Sequence, residues 1–379
     1  MTPASPKRVI LAAGGTGGHM FPAQALAREL LARDLGVTLI TDRRGGGFGP
    51  DLPQVDTCFI SAGGLAGRGP MQKLRGALRL GLGVVQAWQR IRALDAEVVV
   101  GFGGYASVPS VLAAVRLGRH IVLHEQNAVL GRANRLLARR AHAIATSFDT
   151  VTGIAMADRD KVQVTGNPVR PAIAELGRRP YVVPDGRGDV GLLVVGGSQG
   201  AAAFDEIVPD AIVRLPQGLR ERLVVCQQIR GQNLDEVAAK YRAHGVRHDL
   251  RPFFDDMPER LAAAHLVIGR AGASTVAELA AAGRPGLLIP YPFAIDDHQS
   301  ANARSVGEAG SGWLMPQAAL TAEHLAERLE SLLSDPASLA RASRCALANA
   351  RADAARSLAD LACGIGQAGK ARKSQGVAA

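Results

Sequence analysis

The sequence predicts an α/β protein made of two similar Rossmann-like domains, each a parallel sheet covered by helices on both faces. Three observations predict it. At 379 residues the chain is too long for one ordinary core. Short β-branched apolar runs alternate with helical stretches, as in a buried parallel sheet. The alternation breaks at residues 171–189, where Pro171, Pro180 and Pro184 accompany several Gly and Arg, and then restarts. These shifts give an N-terminal domain over 1–170, a linker over 171–189, a C-terminal domain over 190–365 and a disordered tail over 366–379.

In the first half, residues 9–13 (VILAA) form a strand running into Gly14-Gly-Thr-Gly-Gly-His19 and a helix over 22–33. Residues 37–41 (VTLIT) are the next strand. Residues 98–100 (VVV) lead into Gly101-Phe-Gly-Gly-Tyr105 and a helix from Pro109. Residues 121–123 (IVL) end in His124-Glu-Gln-Asn127, and strands at 144–146 and 162–164 follow. In the second half, residues 192–195 (LLVV) lead into Gly196-Gly-Ser-Gln-Gly200, and 223–226 (LVVC) form a strand. Residues 266–268 (LVI) run into Gly269-Arg-Ala-Gly-Ala-Ser-Thr275 and a helix through Ala282. Residues 287–289 (LLI) are closed by Pro290 and Pro292, and an Ala-rich helical stretch covers 336–362. Ligands of such domains sit at the carboxyl ends of the strands, so a cleft between the domains is expected.

The turn Gly14–His19 offers backbone N–H groups at the positive end of a helix, which suits phosphate or pyrophosphate. It is not a P-loop, because no Gly-Lys-Ser/Thr follows. It also misfits the dinucleotide fingerprint, whose third glycine position holds Met20. His19 reads either as a helix-terminal residue that caps or packs, or as a base near an incoming hydroxyl. Gly103, Gly104 and Tyr105 repeat the device, as a structural turn or as a second phosphate site for an acceptor. His124-Glu-Gln-Asn127 puts four polar side chains at a strand's carboxyl end. They are costly to bury unless paired, and they stand where ligands sit. Arg170, closing Thr165-Gly-Asn-Pro-Val-Arg170, is either solvated or a fork for phosphate.

The turn 269–275 adds two hydroxyls to its N–H groups, and Glu278 follows one helical turn on. A carboxylate there either stabilises the helix or accepts two ribose hydroxyls. Asp296 and Asp297 have no evident third partner, so no metal is assigned.

The whole formal excess of +10 lies in the first 170 residues. Between Asp56 and Asp95 there is no acid, yet Arg68, Lys73, Arg75, Arg79, Arg90 and Arg92 are present. Such a face suits a phosphate-rich partner, anionic lipid or nucleic acid. In the same region Met71, Leu74, Leu78, Leu82, Val85 and Trp88 recur at helical steps. They form either an interfacial stripe on lipid or a stripe packed on the sheet. Cys58, Cys226, Cys345 and Cys363 show no metal or redox spacing, as for thiols in a reducing compartment. The apolar run after Lys7 and Arg8 is too short for a signal peptide, and no stretch approaches the roughly 20 apolar residues of a spanning helix. Cytoplasmic residence with peripheral membrane contact is expected.

Seven segments then identify a resemblance: GGTGGHMFPA (14–23), VVVGFGGYAS (98–107), HEQNAVLG (124–131), TGNPVR (165–170), VVGGSQGA (194–201), the run 252–292 and DDHQSANA (296–303). Together, in order, they resemble the MurG family of bacterial N-acetylglucosaminyltransferases. The resemblance implies a GT-B fold, two Rossmann-like domains facing across a deep cleft, with the donor held mainly by the second. It implies transfer of GlcNAc from UDP-GlcNAc to the MurNAc C4 hydroxyl of undecaprenyl-pyrophosphoryl-MurNAc-pentapeptide, with inversion and without metal or cofactor. The setting is the cytoplasmic face of the inner membrane, with anionic lipid and no nucleic acid as partner.

Carried over position by position, Thr16, Gly17 and Gly18 lie near the sugar and pyrophosphate. Asn127, Arg170, Ser198 and Gln299 contact the donor, and Phe254 falls where the family's main chain reads uracil. Ala273, Ser274, Thr275, Val276 and Ala277 form the diphosphate turn, Glu278 holds the ribose, and His19 is the candidate general base. Phe254 departs from the aliphatic residue of some members. Three rival readings are a UDP-sugar epimerase of the same fold, a nicotinamide-dependent oxidoreductase and a non-catalytic nucleotide sensor. The basic surface disfavours the first, Met20 the second, and the number of polar groups gathered at one expected site the third.

Overall fold

The computed structural model describes residues 8–376 apart from 16, 44–45, 64–69, 198–199 and 232. The chain divides into two compact units, Met1–Val169 together with Asp353–Ala379, and Arg170–Ala352.

The first unit carries seven strands: β1 (Arg8–Ala12), β2 (Gly36–Thr41), β3 (Asp56–Phe59), β4 (Val98–Gly101), β5 (His120–Glu125), β6 (Ala143–Thr146) and β7 (Val162–Val164). Their order is β3-β2-β1-β4-β5-β6-β7, every neighbouring pair parallel. In register, Val9 pairs with Val37 on one side and Val98 on the other. Helices α1 (Gly17–Leu31), α2 (Pro70–Ala93), α3 (Gly104–Arg116) and α4 (Arg132–Leu137) connect them. Both faces are covered, which is why these strands read as continuous apolar runs. One face buries Val9, Leu11, Val98 and Val100 with Leu26 and Leu30 of α1. The other buries Ile10, Val99 and Ile121 with Ala87 and Ile91 of α2 and Val111 of α3. Each such Leu, Ile or Val contributes about 1.5–3 kcal/mol by leaving water. The chain reverses its direction of travel across the sheet between β1 and β4, the position where ligands bind in folds of this kind.

The second unit repeats the plan with β8 (Val190–Val195), β9 (Leu223–Gln228), β10 (Arg247–Arg251), β11 (Leu266–Gly269), β12 (Gly286–Leu288) and β13 (Gly312–Leu314). All are parallel, in the order β10-β9-β8-β11-β12-β13. Its helices are α5 (Pro171–Ala174), α6 (Ala202–Arg214), α7 (Gln217–Arg220), α8 (Leu234–Ala243), α9 (Met257–Ala263), α10 (Ala273–Ala282), α11 (His298–Glu308), α12 (Ala322–Leu333) and α13 (Pro336–Asn349). The corresponding reversal lies between β8 and β11.

Two features differ from the sequence reading. Residues 171–178, expected as linker, are α5 and a short 3-10 turn packed on α10. Ile173 and Leu176 are buried there, and Gly177 sits against the Ala281 backbone too closely for any side chain. The last helix, α14 (Ala354–Gly376), was expected in the second domain to residue 365 and in a disordered tail beyond it. Instead it continues to Gly376 and packs in the first unit against α1, β4 and β5. Leu358, Ala359 and Ala362 are fully buried in that unit's core, and Arg33, in the turn after α1, donates to Asp360 at 2.6 Å.

For the helix over residues 70–93 the sequence left two readings open, a stripe on lipid or a stripe packed on the sheet. Its Gly83, Ala87 and Ile91 are buried, with Trp88 packed alongside. Met71, Leu74, Leu78, Leu82 and Val85 stand between 52% and 65% exposed. The stripe therefore lies off the core, and exposed Arg75, Arg79, Arg90 and Arg92 accompany it.

Candidate active site

In the first unit, β1 ends at Ala12 and the chain turns through Gly15 at φ 90°. Helix α1 begins at Gly17, so Gly17, Gly18 and His19 make its first turn, ahead of the Pro22 start expected from sequence. Two consecutive glycines disfavour helix by propensity, and the start was hidden for that reason. The β4–α3 turn comes alongside. Gly103 (φ 81°) precedes α3 and Gly104 (φ 68°) opens it, both in the left-handed region that glycine adopts without strain. A Cβ on Gly104 would lie 3.4 Å from His19 Cδ2 and Nε2, and one on Gly103 would lie 3.6 Å from His19 Cε1. The His19 ring edge thus runs along this turn. Tyr105 is half-buried in the first turn of α3. Thr16 lies outside the described residues.

The run His124–Asn127 meets the same place from β5. His19 Nδ1 is 3.1 Å from Gln126 Oε1. Gln126 Nε2 is 3.0 Å from the Phe102 carbonyl and 2.8 Å from His124 Nδ1. His124 Nε2 is 3.0 Å from the Gly166 carbonyl. His124 is fully buried beside Phe102, and burial pulls its pKa down to about 4. Glu125, also buried, accepts from Asn127 N (3.0 Å), Asn127 Nδ2 (3.2 Å), Gly131 N (2.9 Å) and Asn134 Nδ2 (2.8 Å). It fixes the loop that presents Asn127. Of these four residues, sequence reasoning named only Asn127 as a ligand contact. The signal for the other three was their polarity at the end of a buried strand.

In the second unit, α10 starts at Ala273 after Gly272, which makes no side-chain cap. Ala273, Ser274, Thr275 and Val276 form its first turn, and Ala277 and Glu278 follow. Ser274 Oγ is buried without a protein partner, so this helix start keeps a hydroxyl as well as its N–H groups in reserve. Arg170 donates to Glu278 Oε1 from Nε (3.1 Å) and Nη2 (2.9 Å). Burial pushes the Glu278 carboxyl above its ordinary value, and the Arg170 charge opposes that push. The two residues assigned separately to phosphate and ribose are therefore one ion pair.

Phe254 is buried with its ring beneath the Arg260 guanidinium at 4.9 Å, so its side chain belongs to the packing of the second unit. Gln299, in the first turn of α11, accepts from Tyr291 N at 2.9 Å. Asn302, fully buried, donates to the Ala271 carbonyl at 2.9 Å and ties α11 to the turn before α10. Asp296 and Asp297 are exposed and both take left-handed φ values, 53° and 50°. Ser198 lies outside the described residues. One residue was missed: Arg270 is buried between the rings of Phe204 (4.6 Å) and Tyr291 (5.6 Å), and donates to the Ile289 and Pro290 carbonyls. Burial lowers its pKa from the usual guanidinium value, and only its place in the turn 269–275 could have pointed to it.

Residues 9–146 match the glycosyltransferase family 28 N-terminal domain, and residues 191–358 match the family 28 C-terminal domain. The UDP-N-acetylglucosamine–N-acetylmuramyl-(pentapeptide) pyrophosphoryl-undecaprenol N-acetylglucosamine transferase of Rhodospirillum centenum is 54% identical over 366 residues, 97% of this chain and 96% of that one. Its namesake in Rhodospirillum rubrum is 53% identical over 360 residues, 94% and 92% of the two chains. The crystal structure of Acinetobacter baumannii MurG matches with a TM-score of 0.75 at 29% identity, covering 94% of this chain and 99% of that one. A Listeria monocytogenes protein named for UDP-N-acetylglucosamine 2-epimerase has a TM-score of 0.65 at 18% identity, which shows the common fold alone. Two parallel-sheet units, each with a family 28 domain match, accord with the GT-B fold expected from the sequence. With both domains matched and over half of the aligned residues shared with the two Rhodospirillum transferases, the chain belongs to glycosyltransferase family 28 and, within it, to the MurG family.

Proposed function

We propose that the enzyme transfers GlcNAc from UDP-GlcNAc to the C4 hydroxyl of MurNAc in undecaprenyl-pyrophosphoryl-MurNAc-pentapeptide, a step of peptidoglycan synthesis. The observation that carries this reading is the near-full-length 54% identity with a transferase whose name states that donor and acceptor. The reaction is one in-line displacement with inversion. The acceptor oxygen bonds to C1 as the bond from C1 to the β-phosphate oxygen breaks, UDP leaves, and His19 takes the hydroxyl proton.

In this reading Thr16, Gly17 and Gly18 border the sugar and pyrophosphate, and Gly103, Gly104 and Tyr105 hold the acceptor's pyrophosphate. The start of α10, residues 273–277, meets the charge growing on UDP with N–H groups already oriented. Removing one such donor typically costs on the order of 100-fold or more in turnover. Glu278 accepts ribose hydroxyls while Arg170 keeps it ionised and lends its charge to the diphosphate. Asn127, Ser198 and Gln299 orient the donor, and the Phe254 main chain reads uracil.

The exposed α2 stripe with its arginines rests on anionic lipid and holds the enzyme peripherally at the cytoplasmic face of the inner membrane. Among the described residues no helix is long and apolar enough to cross a membrane. The test is incubation of the purified protein with UDP-GlcNAc and a lipid-pyrophosphoryl-MurNAc acceptor. UDP release that requires the acceptor is expected. Consumption of UDP-GlcNAc without acceptor would favour the epimerase reading instead.

A further inference from the structure

A chain of hydrogen bonds leads from the interior of the first unit to His19, and its direction is fixed at the far end. The Gly166 carbonyl can only accept, so His124 Nε2, 3.0 Å away, carries a proton. Gln126 Nε2 lies 3.0 Å from the Phe102 carbonyl and 3.1 Å from the His124 carbonyl. Turning that amide over would set its oxygen against two carbonyl oxygens, so the nitrogen belongs where it is. The same nitrogen is 2.8 Å from His124 Nδ1. Two donors cannot share that contact, so His124 Nδ1 bears no proton and the ring is neutral. Full burial favours the same state. The Gln126 oxygen is then the group that faces His19 Nδ1 at 3.1 Å, and it can only accept.

We infer that Gln126 and His124 are positioning residues that hold neutral His19 in the tautomer protonated at Nδ1, leaving Nε2 as its basic nitrogen. Nε2 is the ring nitrogen on the edge that runs along the Gly103–Gly104 turn. An unconstrained imidazole side chain favours the opposite tautomer, which would present a proton where proton abstraction needs a lone pair. With the relay in place, Nε2 gains a proton while the Nδ1–H bond to Gln126 is kept, so no side chain has to turn over during the step. Glu125 does not compete for this role, since its oxygens already accept from Asn127, Gly131 and Asn134. The catalytic consequence rests on the transferase reading above; the tautomer does not.

The experiment is nitrogen-15 NMR of the full-length protein with labelled histidines, at a pH where His19 is neutral, its signals assigned by their loss in His19→Ala. The native protein should show a protonated Nδ1 and an unprotonated Nε2. Gln126→Met should move the proton to Nε2 and lower kcat on the order of 100-fold, with UDP affinity changed by less than about twofold. His124→Asn, whose amide oxygen can stand in for Nδ1, should keep the tautomer and stay within about tenfold of native turnover. A native His19 protonated at Nε2 overturns the inference, as does a Gln126→Met protein that loses turnover with its tautomer unchanged. The expected tautomer in a native protein that transfers no sugar would support the relay and refute the transferase reading instead.

Discussion

Arg170 and Glu278 form a half-buried ion pair, so the stability of the second unit depends on the charge of each. The Glu278 side chain is 16% exposed and that of Arg170 is 32%. Arg170→Met keeps much of the stem's packing and removes the charge. Breaking a fully buried ion pair by removing one partner costs about 3–5 kcal/mol, but water reaches part of this guanidinium, and about 2 kcal/mol is the reasonable expectation. For a unit of this size that lowers Tm by about 4–8 °C.

The loss carries a pH signature. Burial holds the Glu278 pKa above its ordinary value in the folded protein. The native state therefore binds that proton more tightly than the unfolded chain, and stability falls as pH rises through the folded pKa. Without Arg170 nothing opposes burial, the folded pKa climbs further, and the penalty grows on the alkaline side. Calorimetric melting should show a large deficit near about pH 8 and partial recovery near about pH 5. Glu278→Gln in the same background should restore stability at the higher pH, because a neutral amide needs no cation. A deficit equal at both pH values, or a double variant no more stable than the single one, would refute the charge-neutralising role of Arg170.

Three further outcomes are expected. Gly104→Ala forces a side chain into the left-handed region at φ 68° and sets a methyl 3.4 Å from the His19 ring. It should cost about 1–2 kcal/mol in unfolding and lower turnover roughly tenfold, while calorimetry finds UDP affinity unchanged. Glu125→Gln turns an amide N–H₂ toward groups that already donate to Glu125. It should destabilise the first unit by about 2–3 kcal/mol in urea unfolding, and an unchanged midpoint would mean those bonds contribute nothing. Leu78→Glu combined with Leu82→Glu alters two side chains that are 65% and 52% exposed. Sedimentation with anionic vesicles should fall several-fold while the melting curve stays put; vesicle binding at the native level would count against the lipid-facing role of α2.

The interior strands were legible because both their faces are buried: residues 98–100 and 266–268 can only be core. The strands β3, β10 and β13 were not, because Asp-Thr-Cys-Phe, Arg-His-Asp-Leu-Arg and Gly-Trp-Leu are not β-branched apolar runs. The glycine turns and His19 were visible as chemistry. Gln126 was not, since its role depends on which end of its amide faces which partner, a matter of acceptors at Phe102 and His124 and of a ring nitrogen at His19 brought together in space. The pairing of Arg170 with Glu278 joins residues 108 positions apart. Helical periodicity marks Leu358, Ala359 and Ala362 as buried, but no pattern in the sequence says which sheet they cover.

The return of α14 to the first unit makes the second unit, in sequence, an insertion within the first. A gene fragment ending near residue 350 would encode the second unit whole and leave the first without the buried side chains that close over Leu26 and Leu30. During synthesis the order of maturation is reversed from the order of translation. Residues 170–352 can complete their fold while the earlier-made sheet still lacks a wall, and only when the final helix leaves the ribosome does the first-made half become a finished body.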